Sequence, residues 1–341
     1  DWMQLNAEGK GKGRNRGFDI CVRPRPDRSG PLHQVYLPLL ADIGRYRPDA
    51  LWVDGDHARI PRCYCPGCQA AWLQETGSSE PPRSEEEPLW SEWCRFQQER
   101  FDGYRHAMAD AMHAAHDGCM YTSNHSWRFR ARDPRCPPDW VDTLSGDLSH
   151  GPALRHTRVS AMYLSAQTDI PYDIMHNIMR IAGDDFGQAS RRRILQQGGL
   201  TLSSGGVWFL WTPGSTITTR PVQERARRCA AFARAREAAL GRTRSANPVG
   251  VLVSETCWRR TRLDGVSDYY DGDAPDHAAL ALQDAACGVD ITNEELLQQR
   301  QDPYRIVVVA NQRTLAPATV AVLRRTVRSG GTLLVTGSGL A

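Results

Sequence analysis

The chain has 341 residues, with 42 Lys and Arg against 39 Asp and Glu and a formal charge of +3. So even a balance gives no reason to expect a nucleic-acid or polyanion partner, and Arg-rich patches such as "SRRRI" (190–194) read as solvated helix faces. The longest apolar runs, "VWFLW" and "IVVVA", have strand length and fall short of the roughly 18 residues a membrane-spanning helix needs, so no membrane partner is expected.

Taken in chain order, the pattern alternates strand and helix. "GFDICV" (17–22) is a short strand-like stretch, and "LHQVYLPLLADIGRYR" (32–47) has helical apolar spacing before the strand "ALWVDG" (50–55). An acidic insert, "PPRSEEEP" (81–88), reads as an exposed loop. The long helix "EWCRFQQERFDGYRHAMADAMHAAH" precedes the strands "CMYTSN" and "WVDTLSG". Then come helix "PALRHTRVSAMYLSA", strand "PYDIMHN", helix "SRRRILQQGGLTLSSG", strand "VWFLWTP" and helix "VQERARRCAAFARAREAAL".

Such alternation predicts a parallel sheet covered by helices. No G-x-G-x-x-G follows a strand, which argues against a dinucleotide fold. Polar residues gather where strands end, as at the active-site face of a (β/α)8 TIM barrel. Residues 1–241 are therefore expected to form a barrel unit. Five strands are visible, with "GFDICV" as a possible sixth, so the barrel is expected to lack its first strands. After the polar linker "GRTRSANP" (241–248), the strands "VGVLVSE", "VDITN", "YRIVVVAN" and "TLLVTG" alternate with helices, predicting a second, open α/β unit over 248–341 that is also cut short.

Ten cysteines are many, but they are not spaced as a small disulfide framework. Cys63, Cys65 and Cys68 form C-x-C-x2-C and supply three ligands to a tetrahedral zinc; Cys21 is the expected fourth, with His57 as the alternative. Four protein ligands would make the zinc structural. Cys94, Cys119, Cys136, Cys229, Cys257 and Cys287 read as small buried hydrophobes.

Asp54 and Asp56 end an apolar strand, and period-two alternation puts both on one side of it. Glycoside hydrolysis uses two carboxylates flanking the scissile bond, and other strand ends offer Asp147, with Asp142 inside its strand. Asp184 and Asp185 read as cap or surface acids.

"YRPDALWVDGD" followed by "CYCPGCQAAW" resembles the fourth-strand region of barrel glycosidases. In family 29 α-L-fucosidases a W-F-D-G strand end carries the nucleophile, which falls on Asp54. In family 42 β-galactosidases a D-N-E strand end carries the acid/base Glu, followed by a zinc-binding C-x-C-x2-C with one more cysteine well upstream, which falls on Cys21. Here that slot reads Asp54, Gly55, Asp56, with no Glu. The overall match is to fucosidase-like glycosyl hydrolases that combine W-x-D-G with C-Y-C-x2-C. "VDTLSGDLSHG", "PYDIMHNIM" and "LSSGGVWFLWTP" are similar to later barrel strands of that group, and residues 290–337 resemble the β-galactosidase trimerisation domain, a non-catalytic relative of class I glutamine amidotransferases.

The resemblance implies an O-glycosyl hydrolase acting on a carbohydrate, with Asp54 as nucleophile or base, Asp147 as acid and Asp56 as the alternative acid. His57, Asn124, His125, His176 and Asn177 would bind sugar hydroxyls, and Trp127 and Trp211 would stack on a pyranose face. It also implies a structural zinc, whose intact thiolates favour an intracellular setting, and a homo-oligomer, expected as a trimer. The competing reading is a catalytically silent carbohydrate-binding scaffold. An active amidotransferase tail is disfavoured, because neither Cys257 nor Cys287 stands in a G-x-C-x-G elbow.

Overall fold

The structure is a computed structural model and describes residues 2–11, 20–23, 25, 27–53, 63–84, 86–123, 134–145, 153–167, 170–182, 185–188, 190–212, 219–240, 245–257 and 274–337. A wide π-helical turn, Leu32–Tyr36, leads into α1 (Leu37–Gly44), and β1 (Ala50–Val53) follows. Helix α2 (Pro66–Thr76) starts from extended Cys65 with Pro66 in its first turn, where a missing N–H costs nothing, and stops at left-handed Gly77 (φ 75°). Helix α3 (Trp90–Ala115) spaces Phe101, Tyr104, Met108 and Met112 along one face. That face packs on Leu40 of α1 and on Leu51, Val53 and Tyr121 of β1 and β2 (Met120–Ser123).

An aromatic cluster locks α2 to α3. Trp93 stacks on Phe96 with centroids 5.3 Å apart, and Trp72 meets the two rings edge-on at 5.2 and 5.5 Å. The Trp93 indole N–H donates to the Tyr64 hydroxyl at 3.1 Å, so even its polar atom is paired inside the core. Trp93→Ala is expected to cost about 3–5 kcal/mol in urea unfolding; a loss below about 1 kcal/mol would mean that the cluster does not hold α2 in place.

β1 runs parallel to β2, and β3 (Asp173–Asn177) parallel to β6 (Val207–Trp211). Residues 141–145 lie between the two pairs and hydrogen-bond to both: Asp142 N–H donates to Tyr121 O, Leu144 N–H to Pro171 O, and Asp173 N–H to Leu144 O. This is where "WVDTLSG" was expected as a full strand, yet the segment makes one bridge, Leu144 to Tyr172. Side chains have taken over its ladder bonds. The Asp142 carboxylate accepts from Tyr121 N–H at 2.7 Å, and the Thr122 hydroxyl donates to Thr143 O at 2.6 Å. The order β1, β2, 141–145, β3, β6 is thus five consecutive parallel positions. Among the described residues β1 and β6 each pair on one side only, so these strands make an open arc and not a closed barrel. Of "GFDICV" the described residue Ile20 makes an antiparallel bridge to Met3, and among the described residues none of the stretch pairs with the arc.

Helices α4 (Ala153–Leu164), α5 (Arg191–Ser203) and α6 (Arg220–Arg234) follow the expected pattern, α5 being capped by the Ser190 hydroxyl, which accepts from Arg193 N–H at 3.2 Å. Gly198 lets α5 approach β6, since an added Cβ would stand 2.5 Å from the Trp208 ring. Between β3 and α5 lies an antiparallel hairpin, β4 (Met179–Ala182) with β5 (Asp185–Gln188), that the reading of Asp185 as a cap or surface acid did not foresee.

The remaining strands, β7 (Val249–Val253), β8 (Val289–Asn293), β9 (Ile306–Ala310) and β10 (Thr332–Thr336), form an all-parallel sheet in the order β10-β9-β7-β8. One face packs Leu252, Val307 and Val309 against Leu297 of α8 (Glu294–Gln299) and Leu323 of α9 (Pro317–Arg328). The other packs Val251, Ile291 and Val308 against Ala279 and Leu280 of α7 (Ala274–Asp284) and against Val159 and Met162 of α4. α4 therefore serves both sheets, and one apolar core crosses the linker between them.

Candidate functional site

Two features lie close in sequence, the cysteine quartet and the C-terminal ends of the parallel strands. All four cysteines are buried, and their sulfurs lie within 4.8 Å of one another. Cys21 Sγ is 3.8 Å from Cys65 Sγ and 3.6 Å from Cys68 Sγ. A tetrahedral metal with metal–sulfur bonds of about 2.3 Å requires sulfur–sulfur edges of about 3.8 Å, so the quartet can hold a metal ion. Hydrogen bonds among the thiols, Cys21 first, hold Cys65 well below the usual thiol range, and the same neighbours push Cys68 up.

Local structure explains the convergence. Cys65 is the N-cap of α2 and Cys68 lies in its first turn, with Cys68 N–H donating to Cys65 O at 2.9 Å. Cys21 is brought in by its N–H bond to Trp2 O at 2.7 Å. Gln97 of α3 brackets Cys63, accepting from its N–H at 3.3 Å and donating to its carbonyl at 3.4 Å. The alternative ligand His57 lies outside the described residues.

Many of the sequence candidates share that position. Asp54, Asp56, Asn124, His125, Trp127 and Asp147 fall outside the described residues, each just beyond a described strand or strand-like segment. The strands themselves are described. Leu51, Val53 and Tyr121 face α1 and α3, so Trp52 and its register partner Thr122 take the opposite face. On β3 and β6, Asn177 and Trp211 are register partners and lie side by side on one face.

His176 is on the other face of β3, with Ile174, and is buried against α4. Its Nε2 lies 3.0 Å from the hydroxyl of Thr157, itself fully buried. Burial lowers its pKa to about 3, the Arg193 charge adding to the effect, while the Ile174 backbone carbonyl opposes it by favouring the protonated ring. The side chain is thus a neutral packing element on the helix side, away from where Asn177 and Trp211 meet.

A pH dependence follows. A His with a depressed folded pKa contributes stability that is present above its unfolded pKa of about 6.5 and is lost as pH falls toward the folded value. Thermal stability is therefore expected to drop below pH 6.5, by on the order of 3 kcal/mol at pH 4 from this group. His176→Gln should flatten that part of the profile; an unchanged slope in the variant would rule His176 out as its source.

Asp142 is likewise committed to structure, accepting from His113 Nε2 at 2.9 Å as well as from Tyr121 N–H. Trp52, missed in the sequence, could have been found by stepping two residues back from Asp54 along the strand.

No protein-family model and no curated protein matches the chain. Solved structures do. An α-L-fucosidase, isoenzyme 2 from Paenibacillus thiaminolyticus, superposes with TM-score 0.73 at 17% identity, covering 98% of this chain and 49% of that one. The β-galactosidase from Rahnella sp. R3 gives 0.71 at 14% identity, over 98% and 57%. A GH42 β-galactosidase catalytic mutant from G. stearothermophilus gives 0.68 at 13% identity, over 99% and 59%. The fold is the one these glycosidases share. This chain spans about half to three-fifths of the length of each. Among the described residues no helix is long and apolar enough to cross a membrane.

Proposed function

We propose that the protein is a glycoside hydrolase that cleaves a carbohydrate with carboxylates at the C-terminal ends of its parallel strands. The observation that carries this reading is the likeness to a fucosidase and to β-galactosidases over 98–99% of the chain, joined to the position of Asp54 directly after β1. Period-two alternation in the sequence puts Asp54 and Asp56 on one side of the strand they end.

In this reading Asp54 acts as nucleophile or as base toward water, and Asp147 protonates the leaving oxygen, with Asp56 as the alternative acid. A separation of about 5–5.5 Å between the two carboxylates gives retention, and about 6.5–9.5 Å gives inversion. Asn177 and Trp211 supply an amide and a stacking ring on one face. Trp52 adds a second ring, and Asn124, His125, Trp127 and His57 complete the sugar contacts. The ion held by Cys21, Cys63, Cys65 and Cys68 is zinc, structural because all four ligands are protein thiolates. The four-stranded unit over 248–341 is the trimerisation-like, non-catalytic part, and the assembly is a homotrimer.

The test is hydrolysis of a panel of aryl glycosides, α-L-fucoside and β-D-galactoside foremost. Turnover of one sugar supports the reading and names the substrate. Binding without turnover supports the silent-scaffold alternative, which the missing Glu in Asp54-Gly55-Asp56 favours.

A further inference from the structure

We infer that Arg23 is the counter-charge of the four-cysteine centre, and that residue 67 is glycine because the Arg23 guanidinium lies against it. The inference rests on the metal proposed for Cys21, Cys63, Cys65 and Cys68 and adds two residues to that site.

The chemistry of the ligands sets the need. Four thiolates around one divalent ion carry a net charge of about −2, and all four cysteines are buried. A buried net charge is costly unless an opposite charge stands near it. The groups that touch the quartet are neutral: the Gln97 amide brackets Cys63, and Leu5 packs against the four side chains. The first turn of α2 adds only the partial positive charge of a helix N-terminus.

Arg23 stands where a full charge is wanted. It follows Cys21 by two residues, and its guanidinium is laid against Gly67, the residue between Pro66 and Cys68. A Cβ on Gly67 would stand 2.1 Å from Arg23 Nη2, 2.7 Å from Cζ and 3.0 Å from Nε. Gly67 lies within α2, where the helical backbone itself has no use for glycine, so the close guanidinium is the reason for it. Arg23 Nε is buried with no hydrogen-bond partner among the described residues. An unpaired buried N–H costs stability, and the negative charge of a loaded centre beside it offsets that cost. Arginine suits the place, because a guanidinium is weakly hydrated and keeps its charge when partly buried.

Zinc affinity, measured by competition with a chromophoric chelator, reads the effect without any substrate. Arg23→Met keeps an apolar stem and removes the charge, and should weaken zinc binding about tenfold, the low end of the 10- to 100-fold that groups supporting metal ligands contribute. Arg23→Lys should recover most of that loss, which packing alone does not require. Gly67→Ala displaces the guanidinium, the flexible end of its side chain, and should weaken binding about threefold in the presence of Arg23 and hardly at all in Arg23→Met. A folded Arg23→Met protein with wild-type zinc affinity would overturn the inference. If Arg23→Met does not fold, Gly67→Ala decides it, and unchanged affinity there overturns it equally. A wild-type protein that takes up no zinc fails the proposed metal itself and removes the inference with it, a result distinct from equal affinity in two zinc-binding proteins.

Discussion

If the four-cysteine quartet holds the proposed metal, stripping it is expected to unfold the region around α2, not merely loosen it. The centre joins three separate stretches, Cys21, the Cys63–Cys65 turn and the first turn of α2. An 11-residue helix is too short to be stable alone in water, and its support is that centre on one side and the Trp72–Trp93–Phe96 cluster on the other. Structural zinc in small thiolate sites contributes about 10–16 kcal/mol of apparent binding free energy, and zinc in this quartet, as proposed, would contribute it as folding free energy. That is comparable to the whole stability of most domains, about 5–15 kcal/mol. A strong chelator, or Cys68→Ser, should therefore lower Tm by more than about 10 °C. Cys94→Ser is the control: Cys94 is buried in the aromatic cluster, outside the quartet, and its loss should leave metal content unchanged. Emission spectrometry should find one zinc per chain. A metal-free protein with wild-type Tm would remove the structural role.

The second large effect is on turnover. Asp54→Asn keeps the shape of the side chain and removes its charge, and an amide neither attacks an anomeric carbon nor takes a proton from water. Loss of a catalytic carboxylate is expected to lower kcat/KM by about 10³- to 10⁴-fold, some 4–5.5 kcal/mol of transition-state stabilisation. Asp147→Asn should behave differently. A general acid matters in proportion to the basicity of the leaving group, so this variant should lose alkyl glycosides and largely retain activated aryl glycosides. It should also lose the high-pH limb of the rate profile, where a catalytic acid deprotonates. If Asp56→Asn shows that pattern and Asp147→Asn does not, the acid is Asp56.

Much of this was legible in the sequence, for identifiable reasons. Strand–helix alternation depends on local periodicity, and it placed β1, β2, β3, β6 and helices α1, α3, α4, α5 and α6, while α2 was not read as a helix. The quartet was legible because three thiols came in one turn, and Cys21 was the remaining cysteine on a nearby strand-like stretch. His176 was not, because each face of "DIMHN" mixes one apolar residue with polar ones, so alternation says which residues share a face but not which face meets α4. The broken strand at 141–145 depends on the Asp142 and Thr122 side chains replacing backbone acceptors and donors, a choice made by tertiary contact. The β4–β5 hairpin left only a weak signal: Gly183-Asp184 is a turn-type pair, but the flanking "MRIA" and "DFGQ" have little strand propensity.

The most direct test of the central claim is steady-state hydrolysis of aryl α-L-fucoside and β-D-galactoside by the wild-type protein and Asp54→Asn in parallel, with sugar affinity measured for both by calorimetry. The account predicts turnover of one glycoside by the wild type, a fall of at least about 10³-fold in the variant, and affinities within a few-fold of each other. Equal turnover in the two proteins, or sugar binding with no hydrolysis by either, would contradict it.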